Sequence, residues 1–259
     1  MRLTVKDRWD RSPVSLLGQN TGPFQLETST IGSTGMAEIG RRIEQEGDGG
    51  NPAGMRAALG LKRAADIAIS SALLIGLAPA LGILWLAVRL SSPGPAFYGQ
   101  RRIGAGNVPF TAWKFRSMRP DADAVLERHL MANPALRAEW DRDHKLKNDP
   151  RVTAVGRLLR KTSLDELPQL WNVLRGDMST VGPRPIVPAE VAKYGETFDD
   201  YIRVRPGITG LWQISGRNNT TYAERVAFDS YYVKNWSLLL DGRILLRTIK
   251  TVIFAEGAY

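Results

Sequence analysis

The longest apolar stretch of the chain runs from Ile67 to Val88 and contains no charged residue. It is long enough to cross a bilayer. Pro79 lies near its middle, in LAPAL, and predicts a break or bend in the helix. Each arm is then about ten residues long, and at ~1.5 Å per residue neither crosses alone. Lys62 and Arg63 precede the run, Asp66 stands at its edge, and Arg89, Arg101 and Arg102 follow. Basic flanks on both sides favour both ends in the cytoplasm. The residues alone lean slightly to a kinked span and leave a re-entrant helix-break-helix open.

After this segment the pattern shortens. Residues 91–110 are turn-rich, with apolar pieces suited to strands or hairpins. In TAWKFRSM, Lys114 and Arg116 alternate with Trp113 and Phe115, which predicts a strand with one basic face. Residues 121–147 read as two helices separated by Asn133-Pro134, the first with a stripe of Ala122, Val125, Leu126, His129 and Leu130. His129 is therefore expected to pack rather than to bind metal. RVTAVGRLLRKT places Val155, Leu158 and Leu159 on one side among basic residues, as in a helix lying on an anionic membrane surface. Pro206-Gly207 suggests a tight turn. Trp212 is expected in the core. The last helix should set Leu245, Ile249, Val252 and Ile253 against Arg243, Arg247 and Lys250.

Composition adds the following. Residues 1–61 are polar and rich in Gly, Ser and Thr, which predicts disorder, with a weak helix from Met36. Their seven Lys/Arg and seven Asp/Glu cancel, so the net charge of +9 belongs to residues 62–259. Such an excess suits phosphorylated substrates, an anionic membrane or nucleic acid. The absence of Cys excludes disulfides, thiolate nucleophiles and Cys-based zinc sites. His129 and His144 are too few for most His-built metal sites. No charged start leads directly into an apolar run, so no signal peptide is expected.

The chemistry concentrates in RKTSLDELPQLWNVLRGDMSTVGPRP, residues 160–185. Asp165 and Glu166 are adjacent carboxylates with Arg160 and Lys161 before them and Arg175 and Arg184 after. Ser163 and Glu166 have capping-box spacing, and Pro168 fits only a first helical turn. Both readings start a helix at about 163–165, with the two carboxylates at its positive end and Asp165 ionised. A carboxylate held there among arginines could attack a phosphate or hold a divalent metal. An ordinary capped surface helix explains the spacing equally well. Arg184 sits between two prolines, so its guanidinium is pinned and suited to a two-pronged phosphate contact. The pairs Asp121/Asp123 and Asp141/Asp143 match an Asp-x-Asp metal pattern, but i and i+2 do not share a helix face. Caps and solvated charge account for them.

Six segments, in order, resemble the bacterial sugar transferases, the monotopic phosphoglycosyl transferases of exopolysaccharide initiation. They are LKRAADIAIS, SSPGPAFYGQRRIG, WKFRSM, TSLDELPQLWNVLRGDMSTVGPRP, RPGITGLWQISGR and YYVKNWSLLLDGRILLRTIKT, and together they cover about residues 61–259. The resemblance implies an α/β, mainly helical fold. Residues 62–90 would form a re-entrant membrane helix broken at a proline, and 91–259 a membrane-associated catalytic domain with interfacial amphipathic helices. It implies transfer of a hexose 1-phosphate, glucose or galactose first, from a UDP-sugar to undecaprenyl phosphate with release of UMP. The place would be the cytoplasmic face of the bacterial inner membrane. Asp165 and Glu166 become the catalytic pair: Asp165 the nucleophile and Glu166 the holder of Mg2+, with exchanged roles left open by the spacing. Lys114, Arg160, Arg184 and Asp241 become substrate-binding residues. Membrane lipids are expected partners, nucleic acid is not, and a homo-oligomer is compatible. A basic membrane-associated scaffold without catalysis is the alternative from another class, and it leaves the carboxylate pair unexplained.

Overall fold

The computed structural model describes residues 52–143, 146, 149–215 and 220–253. The stretch from Met36 lies outside them. Among the described residues the protein is mainly helical, with two small two-stranded sheets.

Helix α1, Pro52–Gly76, starts ten residues ahead of Lys62, so the end of the segment expected to be disordered is helical. Leu77 interrupts it, and α2, Ala78–Ser91, continues at 65° to the first. The break falls just ahead of Pro79, which stands in the first turn of α2, where its missing N–H costs nothing. No single helix is long and apolar enough to cross a membrane; the bent pair together is, by length and composition. Outward side chains on both arms are apolar: Ile75 is 76% exposed, Ile83 70% and Leu90 79%.

The inward side of α1 is polar. Lys62, Asp66 and Ser70 recur every four residues along one face, with Arg63 beside them. Lys62 donates to the Val181 carbonyl at 2.9 Å and pairs with Asp241 at 2.7 Å. Arg63 donates to the carbonyls of Val173 and Leu174. Oδ1 of Asp66 accepts from the Thr180 amide at 2.9 Å and from the hydroxyls of Ser179 and Thr180. The arrangement is that of a soluble amphipathic helix turned inside out, with polar groups on the protein and apolar ones outward.

Strands β1, Phe97–Ile103, and β2, Pro109–Phe115, form an antiparallel hairpin pairing Tyr98 with Lys114 and Gln100 with Ala112. The expected hairpin region and basic strand are therefore one unit. Helices α3, Ala122–Ala132, and α4, Pro134–Asp143, flank Asn133. On α3, Val125 and Leu130 are buried. His129 is exposed, its Nδ1 bonded to the Val125 carbonyl, so it does not pack as expected. Helix α5, Ala154–Thr162, is capped by the Thr153 hydroxyl, which accepts from the Gly156 amide. It approaches the segment after β2 so closely that a Cβ on Gly156 would lie 2.0 Å from the Ser117 carbonyl oxygen. Leu159 is buried with Val88, Ala96 and Phe115, joining α5, α2 and the hairpin.

Helix α6, Gln169–Arg175, leads to β3, Ser179–Val181, which pairs in parallel with β4, Gly207–Thr209. Pro206-Gly207 thus opens a strand rather than a tight turn. Gly207 is required there, since a Cβ would lie 2.1 Å from the Gly182 nitrogen. Helix α7, Phe198–Ile202, precedes β4 in the chain and the short α8, Leu211–Ile214, follows it. Then follow α9, Tyr222–Lys234, and α10, Leu238–Ile253. A second core holds Ile103, Ile186, Tyr194, Tyr201 and Val226. On α10, Leu240 and Ile244 are buried while Leu246 and Ile249 are exposed, a face rotated from the one the sequence suggested.

Candidate active site

The carboxylate pair does not open a helix in the expected way. Ser163 adopts φ 57°, the left-handed conformation that closes α5, and its amide bonds back to Arg160. Residues Leu164–Glu166 then form one 3-10 turn, and α6 starts only after Pro168. The capping box is absent: the Ser163 side chain makes no cap hydrogen bond. The capping reading fails because Ser163 is already spent ending the preceding helix, and because Lys114 claims Glu166 instead. Lys114 Nζ lies 2.5 Å from Glu166 Oε1.

Strand β2 delivers Lys114, and Asn172 fixes that strand. Asn172 is fully buried; its Oδ1 accepts from the Trp113 amide and its Nδ2 donates to the Thr111 carbonyl and to Asp177. Helix α6 is thereby bolted to the strand on the two sides of Ala112. The spacing of the sequence gives no hint of this residue's role.

Lys114, Glu166 and Arg184 line one narrow polar cleft with Arg102, Gln169 and Gln213. Arg184 lies over the Trp212 indole, 5.4 Å from its centroid. Trp212 is buried, as expected. Arg102 was not singled out in the sequence. It is buried, donating to the Pro185 carbonyl at 2.9 Å and to Gln100 at 2.6 Å. It thus holds the loop that presents Arg184. Of the adjacent arginines, Arg101 is exposed and Arg102 is buried.

The two carboxylates differ electrostatically. Burial pushes the Asp165 carboxyl above its usual range, and the Glu166 charge adds to this; Lys114 and Arg160 oppose it and do not prevail. Burial also pushes Glu166 up, but Lys114, Arg184 and Arg102 together hold it below its usual range. Asp165, expected ionised at a helix start, is thus raised by burial, and of the two carboxylates Glu166 holds the firmer charge. Arg160 stands near Asp165, its Nε donating to the Ser117 hydroxyl at 2.9 Å.

Asp241 is elsewhere. Its Oδ1 accepts from the Tyr232 hydroxyl at 2.7 Å, and its Oδ2 from Lys62 and from the Trp236 indole at 3.0 Å. It is buried in the joint between α1 and α10 and does not line the cleft. Asp121 is tied to Arg119 and Arg128, and Asp141 to Arg137. Among the described residues no group of three or more His, Asp or Glu could hold a metal unaided. A magnesium ion needs less: one or two carboxylates plus substrate phosphates suffice. Lys114 occupies Oε1 of Glu166, which leaves Oε2 as the carboxylate oxygen such an ion would use.

A cleft lined by three cations and Glu166 suits anionic substrates; Asp165, next in the chain, is buried beside it and does not line it. Comparison with known proteins agrees. Residues 57–255 match the family model described as bacterial sugar transferase. The chain is 54% identical over 199 residues to the undecaprenyl-phosphate galactose phosphotransferase of Salmonella typhimurium, covering 77% of this chain and 42% of that one. It is 50% identical over 198 residues to the exopolysaccharide production protein ExoY of Rhizobium meliloti, covering 76% and 88%. It is 42% identical over 207 residues to the UDP-glucose:undecaprenyl-phosphate glucose-1-phosphate transferase of Escherichia coli K12, covering 77% and 41%. The chain thus spans less than half the length of two of these relatives. Over the shared region, the chain belongs to the bacterial sugar transferase family.

Proposed function

We propose that the protein transfers a hexose 1-phosphate from a UDP-sugar to undecaprenyl phosphate, releasing UMP, as the first membrane step of exopolysaccharide assembly. The observation that carries this is the convergence of Lys114, Arg102 and Arg184 on Glu166, one residue from a buried Asp165. The relatives' names supply the substrate classes, and they differ on the sugar, so galactose and glucose are both expected donors to test.

An Asp165 carboxylate oxygen attacks the phosphorus that bears the sugar. The bond from that phosphorus to UMP breaks, and UMP leaves with the electron pair. An aspartyl-phosphosugar remains. A lipid-phosphate oxygen then attacks the same phosphorus, breaking its bond to Asp165 and restoring the carboxylate. Burial suits Asp165 to this task, because a poorly solvated carboxylate is both more basic and more nucleophilic. Lys114, Arg102 and Arg184 stabilise charge on the phosphate oxygens as the bonds exchange. Glu166 would hold Mg2+, which when bound neutralises further phosphate charge.

The bent pair α1–α2 dips into the cytoplasmic face of the inner membrane and returns, setting the cleft at the lipid surface. The test is a panel of UDP-sugars with undecaprenyl phosphate and membranes bearing the protein. UMP release that depends on the lipid is expected; release of UDP, or none with any donor, refutes the reading.

A further inference from the structure

Behind the cleft lies a second polar cluster with no role in the account above. Arg225, on α9, has a side chain only 11% exposed. Its guanidinium lies 5.1 Å from the centroid of Trp212 and 5.0 Å from that of Tyr222. Arg184 lies over the same indole. One acidic neighbour is near: Glu190 Oε1 stands 3.8 Å from Nη1 of Arg225. That carboxylate is shared, its Oε2 being 3.8 Å from Arg102 and accepting from the Val187 amide at 3.0 Å. The Nε and Nη2 atoms of Arg225 are buried and have no hydrogen-bond partner. Trp212 Nε1 and the Tyr222 hydroxyl, beside it, have none either.

Two physical arguments follow. The Nε–Nη2 edge is a side of a guanidinium that meets two oxygens of one phosphate at once. Here that edge is held by two rings and left without an acceptor. The local charge is also unbalanced. The guanidiniums of Arg102 and Arg225 share Glu190, Arg184 lies over the same indole as Arg225, and Glu166 is engaged by Lys114. Asp229 accepts from Tyr194 at 2.7 Å, and burial pushes its carboxyl up to about 7, so near neutrality it is only partly ionised and offsets part of that excess. Buried charge of one sign is costly unless an anion joins it.

We propose that Arg225, stacked on Trp212 and Tyr222, binds the phosphate that departs with the nucleotide, while Lys114 and Arg184 serve the phosphate that is transferred. This rests on the nucleotide-sugar reading above and divides its two phosphates between two sets of cations. Trp212, touched by both guanidiniums, is the partition between them. The site's ligand class is a nucleoside monophosphate, bound through its phosphate.

The test is calorimetric titration of UMP, and separately of glucose 1-phosphate, into the purified full chain in lipid nanodiscs. Arg225→Lys is expected to weaken UMP about tenfold or more while leaving glucose 1-phosphate unchanged. Glu190→Gln, which removes the competing charge, is expected to tighten UMP. A purely structural Arg225 does not produce opposite signs in the two variants. Unchanged UMP affinity in a folded Arg225→Lys protein, or equal loss of both ligands, overturns the proposal. If Arg225→Lys does not fold, Glu190→Gln decides, and no tightening overturns it. Failure of wild type to bind UMP, or a buried water as the only occupant of the Arg225 edge, also overturns it. Lipid-linked product is measured in parallel on wild type, so a failed transfer reading is recognised separately.

Discussion

Lys114 Nζ and Glu166 Oε1 stand 2.5 Å apart, and the same ammonium lowers the pKa of Asp165 next door. One lysine therefore acts on both carboxylates, against the burial that raises them. Replacing it by Met leaves their burial intact and removes the opposing charge, so both should bind protons at higher pH. The expected outcome is a large loss of turnover at neutral pH and an acid limb of the pH–rate profile displaced upward. An acid limb that stays where it is in Lys114→Met would show that neither carboxylate sets it.

Arg184→Lys keeps the charge but not the fork. Pro183 and Pro185 fix the backbone on either side, and Arg102 grips the Pro185 carbonyl, so a lysine there has little freedom to compensate. Charge-assisted hydrogen bonds are worth roughly 1.5–3 kcal/mol each, so activity should fall by at least about tenfold. Near-normal turnover with unchanged Tm would reduce Arg184 to a bystander.

Asp165→Asn is nearly isosteric and should fold, yet abolish transfer. Mass spectrometry of wild type after incubation with UDP-sugar and no lipid is expected to find a hexose-phosphate adduct on the peptide holding Asp165. An adduct on Glu166 would exchange their roles. Wild type that gains no adduct but turns over normally once lipid is added uses direct transfer.

Asp229 gives a stability prediction. Its folded pKa is raised to about 7 from an unfolded value near 3.8. Between these values the folded state keeps a proton that the unfolded state has lost, so stability falls as pH rises through that window. The full effect is up to about 4 kcal/mol above pH 7. Asp229→Asn should flatten this dependence; denaturant midpoints at pH 5 and pH 8 that fall equally in both proteins would exclude it.

Topology is tested by introducing Cys at Ser33 and at the exposed Glu196, in a chain that has no other Cys. An impermeant thiol reagent applied to intact cells should label neither site, and both after the cells are opened. Labelling of one site alone in intact cells would mean that the bent helices cross.

Much of this architecture was legible because it is local. Pro79 announces a break that falls two residues earlier, at Leu77, since a proline spares the start of the second helix and disrupts the end of the first. Alternation in TAWKF placed Lys114 opposite Trp113 and Phe115. What was not legible depends on partners far along the chain. Ser163 and Glu166 have capping spacing, but the closing of α5 and the reach of Lys114 decide their use. Arg102 looks like its solvated neighbour Arg101 until Pro185 is seen against it. Asp241 has a functional place by resemblance, whereas here Lys62, Tyr232 and Trp236 take up both its oxygens. Asp66 reads as the charged edge of an apolar run, yet it accepts from the Thr180 amide in the middle of a strand more than a hundred residues away.

The inside-out helix α1 bears on how the protein can be cut. A cut after residue 90 would divide the bent helix pair from the cleft. It would strip the Thr180 amide, the Val181 carbonyl and Asp241 of their partners Asp66 and Lys62, and the Val173 and Leu174 carbonyls of Arg63. A fragment made that way would leave the Thr180 amide and the Leu174 carbonyl unpaired and Asp241 without its cation, although Asp241 and the Val181 carbonyl would keep Tyr232. The bent helix pair is also part of the scaffold, so trimming it takes away contacts on which the rest of the fold rests.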